Sequence, residues 1–142
     1  MIEGLSHITF IVKDLERMKL LLVDALGGKE VYASGDKRFS HSREKFFEVG
    51  GVWIAAMEGD PLSEKTYNHV AFKVSADDLP RHRAAIEKLG LPIREPRPRI
   101  EGEGQSLYFY DFDNHLFELH TGTLTDRLAA YALDLRRANN RS

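Results

Sequence analysis

The 142-residue chain has no cysteine and only one tryptophan. Without cysteine there can be no disulfide framework, no thiolate metal site and no cysteine nucleophile. Any metal must therefore rest on His, Asp or Glu, donors that suit Mn, Fe, Ni, Zn or Mg. A surplus of charge is also missing, since 20 Lys and Arg against 22 Asp and Glu leave a formal charge of −2. A nucleic-acid surface would normally be basic. No apolar run approaches the roughly 18 residues of a membrane span, and the first residues lack the apolar stretch of a signal peptide. These absences predict a soluble, cytoplasmic protein. The length is enough to bury a core without covalent staples, and a single domain over residues 1–142 is expected.

One short phrase occurs twice. Ser6-His7-Ile8-Thr9-Phe10-Ile11-Val12 returns as Asn68-His69-Val70-Ala71-Phe72-Lys73-Val74, and each copy leads into a helical pattern closed by glycine, at Gly27-Gly28 and at Gly90. Self-similarity at this spacing indicates a fold built from two like units. In the first unit a strand over residues 5–12 precedes a helix capped by Asp14, with Leu15, Met18, Leu22 and Ala25 at helical spacing. Strands are predicted at Lys29–Ala33, Lys45–Val49 and Val52–Met57. The second unit repeats the order: strand Tyr67–Val74, a helix entered through Ser75 and Asp78 with Leu79, Ile86 and Leu89 inward, and strands at Leu91–Arg94, Gln105–Tyr110 and His115–His120. Pro92, Pro96, Pro98 and Glu101-Gly102-Glu103-Gly104 read as a flexible loop. A terminal helix over about residues 123–138 should place Leu124, Leu128, Tyr131 and Leu135 on one face, with Asn139–Ser142 frayed. The expected architecture is α+β: paired β-α-β-β-β modules, about 1–58 and 66–122, forming a curled mixed sheet.

Alternation along a strand puts His7 and Thr9 on one face, and His69 and Ala71 on the matching face of the repeat. Glu118 lies mid-strand between Phe117 and Leu119, where a buried carboxylate needs a partner or a cation. Two histidines and one carboxylate form the ligand set of many Mn, Fe and Zn sites. Taken one at a time, the same residues read as hydrogen-bonded core or edge histidines and as a solvated or arginine-paired glutamate. His115 and His120 are rival ligands, and His41 and His82 read as loop and helix-surface residues.

At these residues the chain resembles a known family. SHITFIVKDL, YNHVAF and EGEGQSLYFYDFDNHLFELHTGTL are similar to the fosfomycin-resistance proteins of the vicinal oxygen chelate (glyoxalase/bleomycin-resistance/dioxygenase) superfamily. Within that group, Phe39–Phe47 (FSHSREKFF) and the RPRIEGEG loop resemble the FosX-type epoxide hydrolases. The resemblance covers nearly all of residues 1–135. It implies that His7, His69 and Glu118 bind a divalent metal, typically Mn2+, in a site shared across a homodimer. The fourth position, near Ile54 and Ala55, is apolar in this chain. The resemblance also implies that Glu44 is the general base on water, and that Ser106, Tyr108 and Arg127, with Thr9 and Tyr67 nearby, hold a phosphonate. Arg99 is a further candidate in the loop, and Gly102 stands where related transferases carry a serine of a monovalent-cation site. The implied reaction is hydration of fosfomycin to a vicinal diol. The alternatives are a glutathione or bacillithiol transferase acting on the same epoxide, and a non-catalytic drug-binding protein.

Overall fold

The structure is a computed structural model that describes residues 1–37 and 39–141. Strand β1 (His7–Val12) leads into helix α1 (Leu15–Lys19), which continues as a π-helical segment (Leu20–Ala25). Strands β2 (Lys29–Ala33), β3 (Glu44–Val49) and β4 (Val52–Glu58) complete the first unit. The second unit comprises β5 (His69–Lys73), α2 (Leu79–Lys88), β6 (Ile93–Arg94), β7 (Ser106–Tyr110) and β8 (Leu116–His120), and α3 (Leu124–Arg141) ends the chain. Two four-stranded sheets result, ordered β1-β4-β3-β2 and β5-β8-β7-β6. In each, the first strand runs parallel to the last and the other pairs are antiparallel. The expected duplication is therefore present strand for strand. No helix among the described residues is long and apolar enough to cross a membrane.

Local chemistry sets the helix boundaries. The Asp14 carboxylate accepts from the backbone N–H groups of Glu16 and Arg17, at 2.9 and 3.1 Å, and starts α1. Ser75 accepts from Asp78 N–H at 3.2 Å, but α2 starts only at Leu79, where Pro80 fits the first turn because no partner exists there for its missing N–H. Thr123 and Asp126 cap each other at the start of α3: Thr123 N–H donates to the Asp126 carboxylate at 3.0 Å and Asp126 N–H to Thr123 Oγ1 at 3.1 Å.

One apolar core runs through both units. Phe10, Leu22, Phe47 and Ile54 of the first join Ile86, Phe109, Phe117 and Leu119 of the second. Polar ties cross the same junction. His82 is buried, contrary to its reading as a helix-surface residue, and its Nδ1 bonds to the Ala25 carbonyl at 2.9 Å. A carbonyl can only accept, so this bond fixes the proton on Nδ1 and ties α2 to the end of the first unit's helical segment. The Asp113 carboxylate accepts from Lys13 N–H at 2.8 Å. Asp111, also buried, accepts from the N–H groups of Asp113 and His115 and from the His115 ring, at 2.8, 2.9 and 2.7 Å. His115 thus closes the β7–β8 turn and lies against Phe10, with ring centroids 4.9 Å apart.

Helix α3 departs from expectation twice. It continues through Asn139 to Arg141, with Ser142 outside the described residues. Its apolar stripe is also uncovered within one chain, since Leu124, Leu128 and Leu135 are 73%, 59% and 66% exposed and only Ala130 is buried.

Asp111→Ala should lower unfolding free energy by about 2–4 kcal/mol in a urea titration, because it strands two backbone donors and a ring N–H at a buried turn.

Candidate metal and substrate site

Residues paired across neighbouring strands share a face, so register alone assembles the site. In the second sheet Ala71 pairs with Glu118 and Glu118 with Tyr108, while His69 pairs with Leu116 and His120 with Ser106. One face therefore carries His69, Glu118, His120, Ser106 and Tyr108. The other face carries Val70, Phe72, Phe117 and Leu119 into the core.

Glu118 is central to this face. It lies on an inner strand and is only 4% exposed, so the reading as a solvated edge residue fails. Its Oε2 accepts from Ser106 Oγ at 2.5 Å and from Arg99 Nη2 at 3.0 Å. Burial alone would push its carboxyl up. Hydrogen bonds from Ser106 and Tyr108 and the charges of Arg99 and His120 more than offset that, and hold it below the usual carboxylate range. Arg99 also donates to Tyr108 Oη at 3.0 Å, and Tyr67 Oη donates to Tyr108 Oη at 3.3 Å. Burial, then the bond to Tyr67 and the negative charge of Glu118, raise the Tyr108 phenol, so it stays neutral. Ser106 gives its proton to Glu118 and accepts from His120 Nδ1 at 2.7 Å, and burial pushes the His120 imidazole down.

His69 is aimed from behind. Its Nδ1 lies 2.7 Å from the Tyr67 carbonyl, which can only accept, so the lone pair of the neutral ring is on Nε2. Nε2 is 3.1 Å from the second carboxylate oxygen of Glu118. Two lone pairs converging at that distance call for a shared proton or a cation, and an imidazole nitrogen with a carboxylate oxygen suits a borderline divalent ion. These two donors fit a metal of the implied kind.

His7, Thr9 and Glu44 lie elsewhere. Across the first sheet His7 pairs with Trp53, Thr9 with Ala55 and Glu44 with Met57, which puts all three on the face equivalent to that of His69 and Glu118. His7 is exposed and lies against Trp53, with ring centroids 4.2 Å apart and planes tilted by 32°. Glu44 is 8% exposed, not the solvated residue its flanking Arg43 and Lys45 suggest, and its N–H donates to Ser34 Oγ at 3.0 Å. No hydrogen bond or ion pair engages its carboxylate among the described residues. Nor do the described residues of one chain contain three His, Asp or Glu grouped to hold a metal. One chain therefore holds the expected residues in two separate groups, His69-Glu118-Ser106-Tyr108-Tyr67 on one sheet and His7-Thr9-Glu44 on the other.

Sequence reasoning missed Glu103. The loop at 101–104 is pinned, because the Glu103 side chain is only 1% exposed and meets three arginines. It pairs closely with Arg97, lies 3.5 Å from Arg99 Nη1 and 3.6 Å from Arg127 Nε, and accepts from Tyr131 Oη at 2.8 Å and Ile100 N–H at 3.1 Å. Arg127 thus reaches the site's border through Glu103. Gly104 and Gly122 permit the close crossing that buries this carboxylate: a Cβ on Gly104 would lie 2.9 Å from Gly122 N, and one on Gly122 would lie 2.6 Å from the Glu103 carbonyl and 2.8 Å from His120 Nε2. The only sequence signal was the run of arginines at 94, 97 and 99 beside an acidic glycine pair.

Hydrogen bonding from Arg97, aided by Tyr131 and Ile100 against the cost of burial, holds the Glu103 carboxyl down at about 2. A carboxyl depressed on folding stabilises the protein above its unfolded-state value and loses that contribution as pH falls toward its folded value. Stability should therefore drop by on the order of 2–3 kcal/mol between about pH 5 and pH 2 through this group. Urea titrations across that range should show a shallower acid loss in Glu103→Gln.

The chain is similar to known proteins along most of its length. Residues 4–119 match the Glyoxalase/Bleomycin resistance protein/Dioxygenase superfamily. The chain is 59% identical over 138 residues to a fosfomycin resistance protein FosX from Mesorhizobium japonicum, covering 97% of this chain and 99% of that one. It is 34% identical over 134 residues to the metallothiol transferase FosB of Bacillus licheniformis, covering 90% and 81%. Among solved structures, a Glu-to-Gln variant of Listeria monocytogenes FosX, complexed with Mn(II) and 1S,2S-dihydroxypropylphosphonic acid, superposes with a TM-score of 0.84 at 51% identity, covering 92% of this chain and 99% of that one.

Proposed function

Because the chain belongs to the glyoxalase/bleomycin resistance protein/dioxygenase superfamily, we propose that it is a Mn(II)-dependent epoxide hydrolase that adds water to fosfomycin and so inactivates it. The observation that carries this reading is the donor pair formed by His69 and the buried Glu118, set beside hydroxyl and guanidinium groups that suit a phosphonate. A 51% identical relative holding Mn(II) and the diol supports the same chemistry.

His69 and Glu118 of one chain, with His7 of a second, would hold the metal. When bound, that ion supplies a Lewis acid that draws electron density from the epoxide oxygen. The chain's own groups do the rest. Ser106 and Arg99 fix the Glu118 carboxylate in its ionised form. Arg99, Arg127 and the Tyr67 and Tyr108 hydroxyls present donors to the phosphonate, for which a guanidinium fork is well matched. Thr9 adds a hydroxyl beside His7. Glu44 takes the proton from the attacking water as the new C–O bond forms and the ring C–O bond breaks; the ring oxygen stays on the neighbouring carbon as an alkoxide, and the proton returned by Glu44 through solvent makes it the second hydroxyl of the diol and restores the base. Its side chain, on a buried residue and without a hydrogen bond or ion pair to its carboxylate among the described residues, suits a base that must accept a proton.

A homodimer accounts for the two half-sites. A two-fold axis that sets the first sheet of each chain against the second sheet of the other closes two equivalent sites at once. The exposed α3 leucines and the exposed Trp53 and Ile11 on the first sheet fit a surface covered by a second copy.

Glu44→Gln should lower Mn(II)-dependent diol formation, followed by 31P NMR, by about 10²–10⁴-fold. Thiol adduct formation with added glutathione or bacillithiol at undiminished rate would favour the transferase reading. Retained drug binding with no turnover in the unaltered protein would favour a sequestering protein. Sharing of the site is checked by complementation. His7→Ala and Glu118→Gln variants should each be inactive alone, and unfolding and refolding them together should restore about a quarter of wild-type activity, because half of the dimers are mixed and each mixed dimer has one intact site. A site built within one chain gives no restoration.

A further inference from the structure

Glu103 lies outside the set of groups that meet metal, water or substrate in the proposed reaction, yet it is among the most buried polar groups of the protein. A buried carboxylate among three arginines and a tyrosine exceeds what is needed to close a loop, since Gly104, Gly122 and the backbone bond from Glu103 N–H to the Ile100 carbonyl, at 3.3 Å, already define the turn. What Glu103 joins is more telling. Through Arg97 and Arg99 it ties the closing arm of loop 96–104, on which it lies, to the leading arm, and through Arg127 and Tyr131 it grips successive turns of α3. Loop and helix approach the site from different parts of the chain, and each brings one guanidinium.

We propose that Glu103 is the positioning residue for anion recognition, a single buried carboxylate that sets Arg99 and Arg127 together over the Glu118 face so that loop 96–104 and α3 act as one phosphonate-binding unit. The geometry carries this. Arg99 spans the two acids, with Nη1 3.5 Å from Glu103 and Nη2 3.0 Å from Glu118, so the guanidinium plane is fixed at both ends. Arg127 has its Nε toward Glu103, which leaves its terminal nitrogens to reach outward. Arg97, already paired closely with Glu103 and 3.4 Å from Tyr131 Oη, serves as counter-charge to the anchor. Removing the anchor charge leaves Arg97, Arg99 and Arg127 to repel one another, and a pair of preset guanidiniums becomes two mobile ones. Because Glu103 touches neither His69 nor Glu118, metal affinity should be spared.

This inference rests on the phosphonate-binding reading of Arg99 and Arg127, so the test separates the two. Inorganic phosphate is titrated into the Mn(II)-loaded full-length protein and its Glu103→Gln variant, well below either Tm, alongside fosfomycin kinetics and Mn(II) binding by electron paramagnetic resonance. Glu103→Gln should raise the phosphate Kd and the fosfomycin KM at least tenfold, with kcat within about threefold and Mn(II) affinity within about twofold of wild type, in keeping with loss of aligned charge-assisted bonds. Tyr131→Phe, which keeps the carboxylate and drops one of its donors, should raise both by about fivefold, and it serves as the test if Glu103→Gln does not fold. Unchanged phosphate binding in folded variants, a fall in kcat alone, or a parallel loss of Mn(II) affinity would overturn the proposal. So would the lack of saturable phosphate binding by the unaltered protein. Absence of fosfomycin turnover by wild type would instead count against the hydrolase reading and leave the phosphate arm to judge Glu103.

Discussion

A carboxylate buried in the middle of a sheet is the constraint to which most of the second unit answers. Glu118 stands on an inner strand, flanked in sequence by Phe117 and Leu119, whose side chains fill the core on the opposite face. An isolated charge there would cost several kcal/mol. Its neighbours are chosen accordingly. Ser106 donates and is itself braced by His120, Arg99 brings a positive charge, and His69 presents a lone pair whose direction is set by the Tyr67 carbonyl. Ser106 and Arg99 fill one oxygen of Glu118 and leave the other facing His69, an arrangement that suits a metal ligand.

The same constraint reaches the loop and the terminal helix. Arg99 can serve Glu118 only if loop 96–104 folds back over the sheet, and a loop so rich in arginine needs an acid of its own to close. Glu103 is that acid, and its burial demands a crossing tight enough that neither Gly104 nor Gly122 could bear a side chain without displacing backbone. Helix α3 is bound to the rest chiefly through polar groups at Arg127 and Tyr131, while its leucines remain outward. A helix held this way is fixed at one end and left with an apolar surface along its length, which a second copy of the chain would cover.

How much of this was legible in the sequence follows from the range of the interactions. The duplicated strands, the caps at Asp14 and Thr123 and the glycine stops are local, and their chemistry is written within a few residues. The faces of His69 and Glu118 also followed from alternation. His82 did not, because a polar residue on a helix looks solvated until the Ala25 carbonyl is known to lie above it. Glu103 was read as part of a polar glycine loop, since three of its partners, Arg97, Arg127 and Tyr131, lie six, 24 and 28 positions away and nothing periodic connects them. The π-helical turn at Leu20–Ala25 left no mark in the spacing of apolar residues either, because Leu21, Leu22 and Ala25 serve an α or a π stripe about equally.

Strand register turns the duplication into an argument about chemistry. The superposed pairings make His7 the counterpart of His69, Ala55 of Glu118, Phe46 of Tyr108, Met57 of His120 and Glu44 of Ser106. In the second unit the carboxylate occupies the strand parallel to the histidine strand, with a serine and a second histidine to hold it ionised. In the first unit that place is taken by an alanine, and the carboxylate appears one strand over, at the serine's position, beside Met57 rather than a hydrogen-bonding histidine. The two acids are thus displaced relative to each other within a common frame. One is surrounded by donors, which suits holding a cation. The other has none among the described residues, which suits receiving a proton. A two-fold assembly that brings these faces together would set a fixed anion and a free base on opposite sides of one small ligand, and the roles would follow from the neighbours each acid was given.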